Sequence, residues 1–541
     1  MSGGVVIARN LIDRWTVLAL AGAGVFMFWA AGHYTVFDDE AFSCRRYVMP
    51  VGDMVSALWR GTEPDPPLYY LLENIWVRVF GVGPLGLRSL SILFFLAGLV
   101  FIRLAGQAWY TQATGLTVMF LCAIHPAHLF LGFAGRWYSL MFLTTAVVLW
   151  LTARLSAAAN VSRNWSFCWS IGAACACYTN YFGVVVVTLA WAAGLLRSRG
   201  YPDGVRRWIR AGLGLLILYA VWLPALWRTA AELPSIGGSW TSHVASFART
   251  FATLLAGNLV SVGAWWAWVP LGVFAICLLV LLVNEWRAVW PIGVIALGSL
   301  AAGVLSHTMI DKYVMTISGA VWLLIAAMLV HGFASPRSKD VRVAVRIAVV
   351  CLAVGWLGCG VNLVTQRHWS SLRWQDPFEQ VIAELAGRDD LPPPDRWVMT
   401  HPSARYYFGL YRCRETDTEF GRSSRRVDAQ RWRRYAEPPN RTLGNFEIAC
   451  ATPTSVLDSM MTGPAPSIVT VETAGFREPA DDWGELHALL DRAFVEVEVE
   501  RKEYLEDPDA AWKDRTDPHY QHPKWRIVVK RWAVRTDAGE G

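Results

Sequence analysis

Three consecutive carboxylates, Asp38, Asp39 and Glu40, stand just beyond an apolar stretch that begins at Trp15. Side by side at a membrane surface such groups repel one another and lose part of their hydration, which raises the pKa of at least one. A carboxylate of that kind can take a proton from an attacking hydroxyl or hold a cation, so general base is a natural role. The competing reading is the solvated acidic edge of a loop, and charge alone does not separate the two. Further on, Glu63-Pro64-Asp65-Pro66-Pro67-Leu68-Tyr69-Tyr70-Leu71-Leu72 sets another carboxylate before paired prolines, which fix an extended entry to a helix along the interface. Arg136-Trp137-Tyr138 and Lys312-Tyr313 join basic groups to aromatic rings. Each alone reads as an anchor to lipid headgroups. Together on one face they suit an anionic lipid phosphate. His125 and His128 flank Pro126, which disturbs a shared helical face, and no third ligand is evident, so polar packing is a better reading than metal.

The elements that must hold these groups are written in the hydropathy. Of the 541 residues 54% are hydrophobic and only 17% charged, where a soluble domain carries nearer a quarter, so lipid is the solvent of much of the chain. A spanning helix needs roughly 20 apolar residues, which predicts about eleven spans. They cover 15–33, 85–104, 113–132, 137–155, 166–179, 181–197, 209–229, 262–283, 288–306, 313–332 and 341–364. The fifth and sixth are short and share the polar joint Thr179-Asn180-Tyr181. The first is read as a retained span, since no small-residue cleavage site precedes Asp38.

Basic residues collect in the loops after the fourth, sixth and tenth spans, at Arg154 and Arg163, at Arg197 to Arg210, and at Arg337 to Arg346. They share a side with Arg9 and Arg14, and the positive-inside rule makes that side cytoplasmic. The loop 34–84 is then external, together with Arg136, Tyr138, Asn180, Tyr181, His307, Asp311, Lys312 and Tyr313. An odd number of spans also puts the C-terminal segment outside. The net charge of +6 lies in short loops and the tail, a pattern of membrane orientation and not of nucleic-acid binding.

Two domains are expected: 1–365 in the membrane and 366–541 as a soluble, extracytoplasmic α/β domain. In the latter, Phe378 to Ala386 reads as helix, and Arg396 to Met399, Ser467 to Val471, Val495 to Glu500 and Trp525 to Lys530 read as strands. Glu232 to about Asn258 is a Gly-, Ser- and Trp-rich external loop, either a flap or a surface connection. Of ten cysteines only Cys413 and Cys450 fall in the tail, where an oxidising compartment would let them pair.

In order and spacing these pieces resemble the bacterial GT-C glycosyltransferases related to protein O-mannosyltransferases and the lipid A aminoarabinose transferase. The most specific parts are Asp39-Glu40-Ala41-Phe42-Ser43 and Pro66-Pro67-Leu68-Tyr69-Tyr70-Leu71-Leu72, then Phe80-Gly81, Arg88, Ser91, His125-Pro126 and Arg136-Trp137-Tyr138-Ser139-Leu140. The likeness implies an all-α polytopic membrane domain and an inverting transfer of a sugar from a polyprenyl-phosphate donor at the external face. It implies Asp39 as the base with Glu40 its neighbour, and Arg136 and Lys312 as holders of the donor phosphate. Asp38, Asp65, Tyr138, Asn180, Tyr181 and Tyr313 complete the expected substrate-binding set. The acceptor, whether lipid, glycan or protein, stays open, as does a divalent cation such as Mg²⁺ on the carboxylates. Three positions depart from the pattern: Asp65 and Asn180 stand where His is common, and Ala134 where an acid often precedes the Arg.

Two rivals remain. A lipid or glycan transporter or flippase needs ionisable residues near the midplane and broken helices around them. A non-catalytic scaffold would tolerate Asp39→Asn.

Overall fold

The computed structural model describes residues 2–34, 36, 38–47, 49–60, 65–157, 163–201, 203–232, 254–255, 265–305, 314–334, 339–364, 397–399, 467–474, 494–503 and 526–534. The first helices are α1 (Ser2–His33), α2 (Asp38–Tyr47), α3 (Val51–Trp59), α4 (Leu68–Phe80), α5 (Pro84–Trp109), α6 (Gln112–Ile124) and α7 (Pro126–Phe133). Then come α8 (Tyr138–Ser156), α9 (Arg163–Thr179), α10 (Gly183–Arg197), α11 (Gly204–Tyr219), α12 (Leu223–Glu232), α13 (Trp265–Leu305), α14 (Val314–Ala334) and α15 (Lys339–Val364). Four strands follow, β1 (Trp397–Met399), β2 (Ser467–Ala474), β3 (Phe494–Glu503) and β4 (Arg526–Val534). The chain forms two compact units. One comprises Met1–His33, Val51–Glu73 and Arg88–Trp369, the other Tyr34–Pro50, Asn74–Leu87 and Ser370–Gly541.

The first unit is a helical bundle. Among the described residues seven helical stretches are long and apolar enough to cross a membrane, and α6 with α7 add an eighth across a 67° bend. The chain is therefore a multi-pass membrane protein. The short fifth and sixth predicted spans fall on α9, of 17 residues, and α10, of 15, neither of which is among those seven. One expectation is corrected. The spans at 262–283 and 288–306 lie on a single uninterrupted helix, α13, of 41 residues. Asn284 turns its side chain onto its own helix, donating from Nδ2 to the Val280 carbonyl at 2.7 Å. Neither Gly nor Pro stands between Phe274 and Trp290 to stop the helix.

The helix α14 forms the centre, packed on α6, α8 and α13, with 89% of its apolar window buried against 22% for α13. Outer faces carry bare apolar side chains such as Ile217, Val221 and Leu357, as expected where lipid is the solvent. At one end of the bundle the Arg197 guanidinium lies 4.8 Å from the Trp109 ring centre, and the Tyr110 and His331 rings are 5.7 Å apart. A Cβ on Gly332 would touch Leu281, Val341 and Val345, so α15 begins at that same end.

Small and hydroxylated residues bring helices together where apolar attraction between them is lost to lipid. Ser166 and Ser170 on α9 donate to the Arg207 and Ala211 carbonyls on α11, at 3.3 and 2.8 Å. Gly194 on α10 faces the fully buried Trp208 indole, whose Nε1 is itself tied to Ser198 Oγ at 3.0 Å. A leucine at Gly194 has nowhere to go. Gly194→Leu should cost about 1–3 kcal/mol or more, read as a lowered melting temperature of the detergent-purified protein. An unchanged melt would mean that the indole can move aside.

In the second unit, α2 has its acids in the first turn and Arg45 and Arg46 near its end, the arrangement a helix dipole favours. Asn74 Nδ2 donates to the Tyr47 and Met49 carbonyls at 2.5 and 2.8 Å, closing the end of α2. Gly81, at φ 80°, ends α4 with its N–H on the Val77 carbonyl, and the chain reverses into α5. A Cβ on Gly86 would run into the Gly81 carbonyl oxygen, so that reversal needs a bare backbone at both glycines. The sheet has the order β1-β2-β4-β3, with β1 parallel to β2 and the other pairs antiparallel. A bulge falls between Glu496 and Glu498. All four strands lie where the alternation of the sequence predicts them. The helix expected at 378–386, and Cys413 and Cys450, lie outside the described residues.

Candidate functional site

The prolines before α4 act as the sequence suggests: the helix starts directly after them, with Leu71 N–H on the Pro67 carbonyl at 2.9 Å. That entry holds Asp65 in the interior of the bundle, 3% exposed. Both its carboxylate oxygens are engaged. Oδ2 lies 3.4 Å from Arg136 Nη2, and Oδ1 accepts from Asn180 Nδ2 at 3.2 Å. Arg136 stands in the tight turn between α7 and α8, where its N–H reaches the Ala134 carbonyl at 2.7 Å. Its own carbonyl accepts from Ser91 Oγ at 3.2 Å, and Ser91 shares a hydrogen bond of 2.8 Å with Tyr69 Oη. Asn180, at the joint of α9 and α10, also accepts from the Phe182 N–H at 2.9 Å through Oδ1. A charged pair so deep is held by its mutual geometry and by added hydrogen bonds, and this one has both.

Arg88 is fully buried, donates to the Ala31 carbonyl at 3.0 Å and lies 5.3 Å from the Phe133 ring centre. It ties α5 to the end of α1. Tyr138 is buried against Trp137, with ring centres 4.6 Å apart. Tyr181 Oη accepts from Trp222 Nε1 at 3.2 Å, and Trp222 stands edge-on to Trp59 at 5.2 Å. Arg228 caps that aromatic group, donating to the Trp59 carbonyl at 3.3 Å.

His125 and His128 are explained by helix chemistry. His125 is the N-cap of α7, accepting from the His128 N–H at 3.3 Å through Nδ1, with Pro126 in the first turn. Its ring packs on Trp322 and Trp356 at 5.1 and 5.2 Å. Among the described residues no three His, Cys, Asp or Glu side chains are grouped so as to hold a metal. Beside them Leu254 and Leu255 are buried, and Trp356 Nε1 donates to the Leu255 carbonyl at 2.7 Å. That part of the predicted external loop 232–258 therefore packs inside the bundle; the rest lies outside the described residues.

In the other unit, Asp38, Asp39 and Glu40 form the first turn of α2, where the helix dipole favours negative charge. Glu40 is fully buried; the side chains of Asp38 and Asp39 lie outside the described residues. Burial pushes the Tyr34 phenol well above its ordinary pKa, so it stays protonated just past α1. Lys312 and Tyr313, with His307 and Asp311, also fall outside the described residues. Of the predicted set, the structure thus joins Asp65, Arg136 and Asn180 directly. Sequence reading missed the parts of Asn74 and Trp222; a lone amide or indole in an apolar helix carries no signal of its partner.

No protein-family model matches the chain, and no curated protein sequence does. Solved structures do. ArnT from Cupriavidus metallidurans bound to undecaprenyl phosphate is 14% identical, with a TM-score of 0.53, over 97% of this chain and 99% of that one. The same protein in the apo state gives 14% identity and a TM-score of 0.54 over 96% and 98%. The chain has the membrane fold of ArnT over nearly its whole length.

Proposed function

We propose that the protein is a membrane glycosyltransferase that moves a sugar from a polyprenyl-phosphate donor to an acceptor at the extracytoplasmic face. The observation that carries this reading is the Asp39-Glu40 turn directly after the first span, on a fold shared end to end with a protein that binds undecaprenyl phosphate. Fold alone would not suffice, since one scaffold hosts many chemistries. The ordered motifs supply the rest.

The acceptor hydroxyl attacks the anomeric carbon from the face opposite the phosphate, inverting that centre. As the new C–O bond forms, Asp39 takes the hydroxyl proton, with Glu40 as its neighbour in the turn. The bond to the phosphate oxygen breaks, and the polyprenyl phosphate leaves with the electron pair, its charge met by Arg136 and Lys312. Asp38, Asp65, Tyr138, Asn180, Tyr181 and Tyr313 are the residues we assign to substrate binding. The acceptor is a lipid, a glycan or a protein.

The basic loops put the N-terminus in the cytoplasm. With the same orientation we assign the domain 366–541, read as α/β, to the extracytoplasmic side. A reporter enzyme fused at the C-terminus, active only outside the cytoplasm, should be active; activity only in the cytoplasmic version would reverse the orientation.

The test of function is transfer of labelled sugar from polyprenyl-phosphate donors in membranes with and without the protein, run also with a chelator to read any cation requirement. Protein-dependent product is expected. One observation favours the transporter rival: the span broken at His125, with two buried histidines beside the bend. Lipid movement across vesicles without any sugar transfer would select it.

A further inference from the structure

Arg136 sits in the stretch 134–137, between the end of α7 and the start of α8, where no helix ladder holds the backbone. Two fully buried serines grip it there. Ser139, in the first turn of α8, donates from Oγ to the Gly132 carbonyl at 2.6 Å and closes the turn from within. Ser91 reaches it from α5, donating to the Arg136 carbonyl at 3.2 Å. The same hydroxyl lies 2.8 Å from Tyr69 Oη. The direction of that bond follows from the count of protons. A serine hydroxyl has one hydrogen and a carbonyl has none, so Ser91 spends its proton on Arg136 and Tyr69 must donate to Ser91. The relay thus runs from the Tyr69 O–H through the Ser91 O–H to the Arg136 carbonyl. Tyr69 follows Asp65 by four residues, so the segment that offers the guanidinium a carboxylate also anchors its backbone, through a third helix.

Resting on the reading of Arg136 as a holder of the donor phosphate, we infer that Ser91 is a positioning residue for transfer. The Tyr69–Ser91 relay fixes the backbone from which the guanidinium reaches the phosphate. Charge grows on the leaving oxygen only as its bond to the sugar breaks, and a cation stabilises it best when already aimed. A long side chain magnifies a small backbone shift at its tip, and a misplacement of about 1 Å can cost on the order of a hundredfold in rate. Both bonds of the relay join neutral groups, so it leaves the charge of the site unchanged and acts through geometry.

The experiment compares wild type with Ser91→Ala, Ser91→Cys and Ser91→Thr. Transfer of labelled sugar and retention of the labelled polyprenyl-phosphate donor are both measured per folded molecule. In Ser91→Ala kcat should fall about tenfold while donor retention stays within about twofold of wild type. Ser91→Thr keeps the hydroxyl and should return kcat to within about threefold of wild type. A merely structural role lowers turnover and retained donor in parallel. That parallel loss, wild-type turnover in Ser91→Ala, or a folded Ser91→Thr as slow as Ser91→Ala overturns the inference and leaves the transferase reading standing. If Ser91→Ala fails to accumulate, Ser91→Cys decides, since a thiol nearly fills the space of the hydroxyl but donates weakly. Slow turnover with donor retained then supports the relay, and wild-type turnover overturns it. Failure of both to accumulate marks Ser91 as a folding residue and also overturns it. Wild type inactive with every donor defeats the transferase reading itself.

Discussion

Asp39→Asn should abolish sugar transfer while donor binding persists, a drop on the order of 10²–10⁴-fold in kcat for the loss of a general base. The side-chain oxygen that would accept the acceptor's proton becomes part of an amide with almost no basicity. The shape of the turn is kept, because Asn is as well tolerated as Asp near a helix N-terminus. Glu40→Gln is the companion. Glu40 is fully buried two residues into the same helix, so its loss should lower activity partly through the packing of α2. Labelled sugar transfer at equal protein levels, with retention of the labelled polyprenyl-phosphate donor on purified protein, separates chemistry from binding. Equal transfer by wild type and Asp39→Asn would sink the base assignment and shift it to Asp38 or Asp65.

Arg136→Ala should be among the most destabilising single changes in the bundle, by about 3–5 kcal/mol, because it strips a buried carboxylate of its counter-charge. Asp65 is 3% exposed and Arg136 8%, so water cannot take over the lost contact. The Ser91 hydrogen bond goes to the backbone of position 136 and survives the change, which confines the loss to the side chain. Removing both partners should cost less than the sum of the single changes, since no orphan charge is then left. Melting temperatures in detergent for Arg136→Ala, Asp65→Ala and the double variant give the coupling. A single change within about 1 kcal/mol of wild type would show the pair to be no more than a surface-like contact.

Most of the spans, the proline entry to α4 and the four strands were legible in the sequence, because each rests on a local pattern. Apolar length decides a span, alternation decides a strand, and a proline lacking its N–H decides a helix start. The order of motifs along the chain was enough to predict the ArnT-like fold of the bundle. Other features needed the folded chain. That Asp65 meets Arg136 and Asn180, 71 and 115 residues away, follows from how α4, α8 and α9 pack, and no spacing along the chain encodes it. The same holds for Asn74 closing α2 and for Leu254 and Leu255 entering the bundle beside Trp356. Helix α13 ran through a polar stretch that reads as a break, since four polar or bulky residues without Gly or Pro do not interrupt a hydrogen-bond ladder. The sequence determines which segments enter the membrane, by the free energy of moving each side chain from water to lipid, a sum of local terms. Which polar groups then meet is decided only by the tertiary structure, because in lipid every buried charge must find a partner wherever packing brings one within reach.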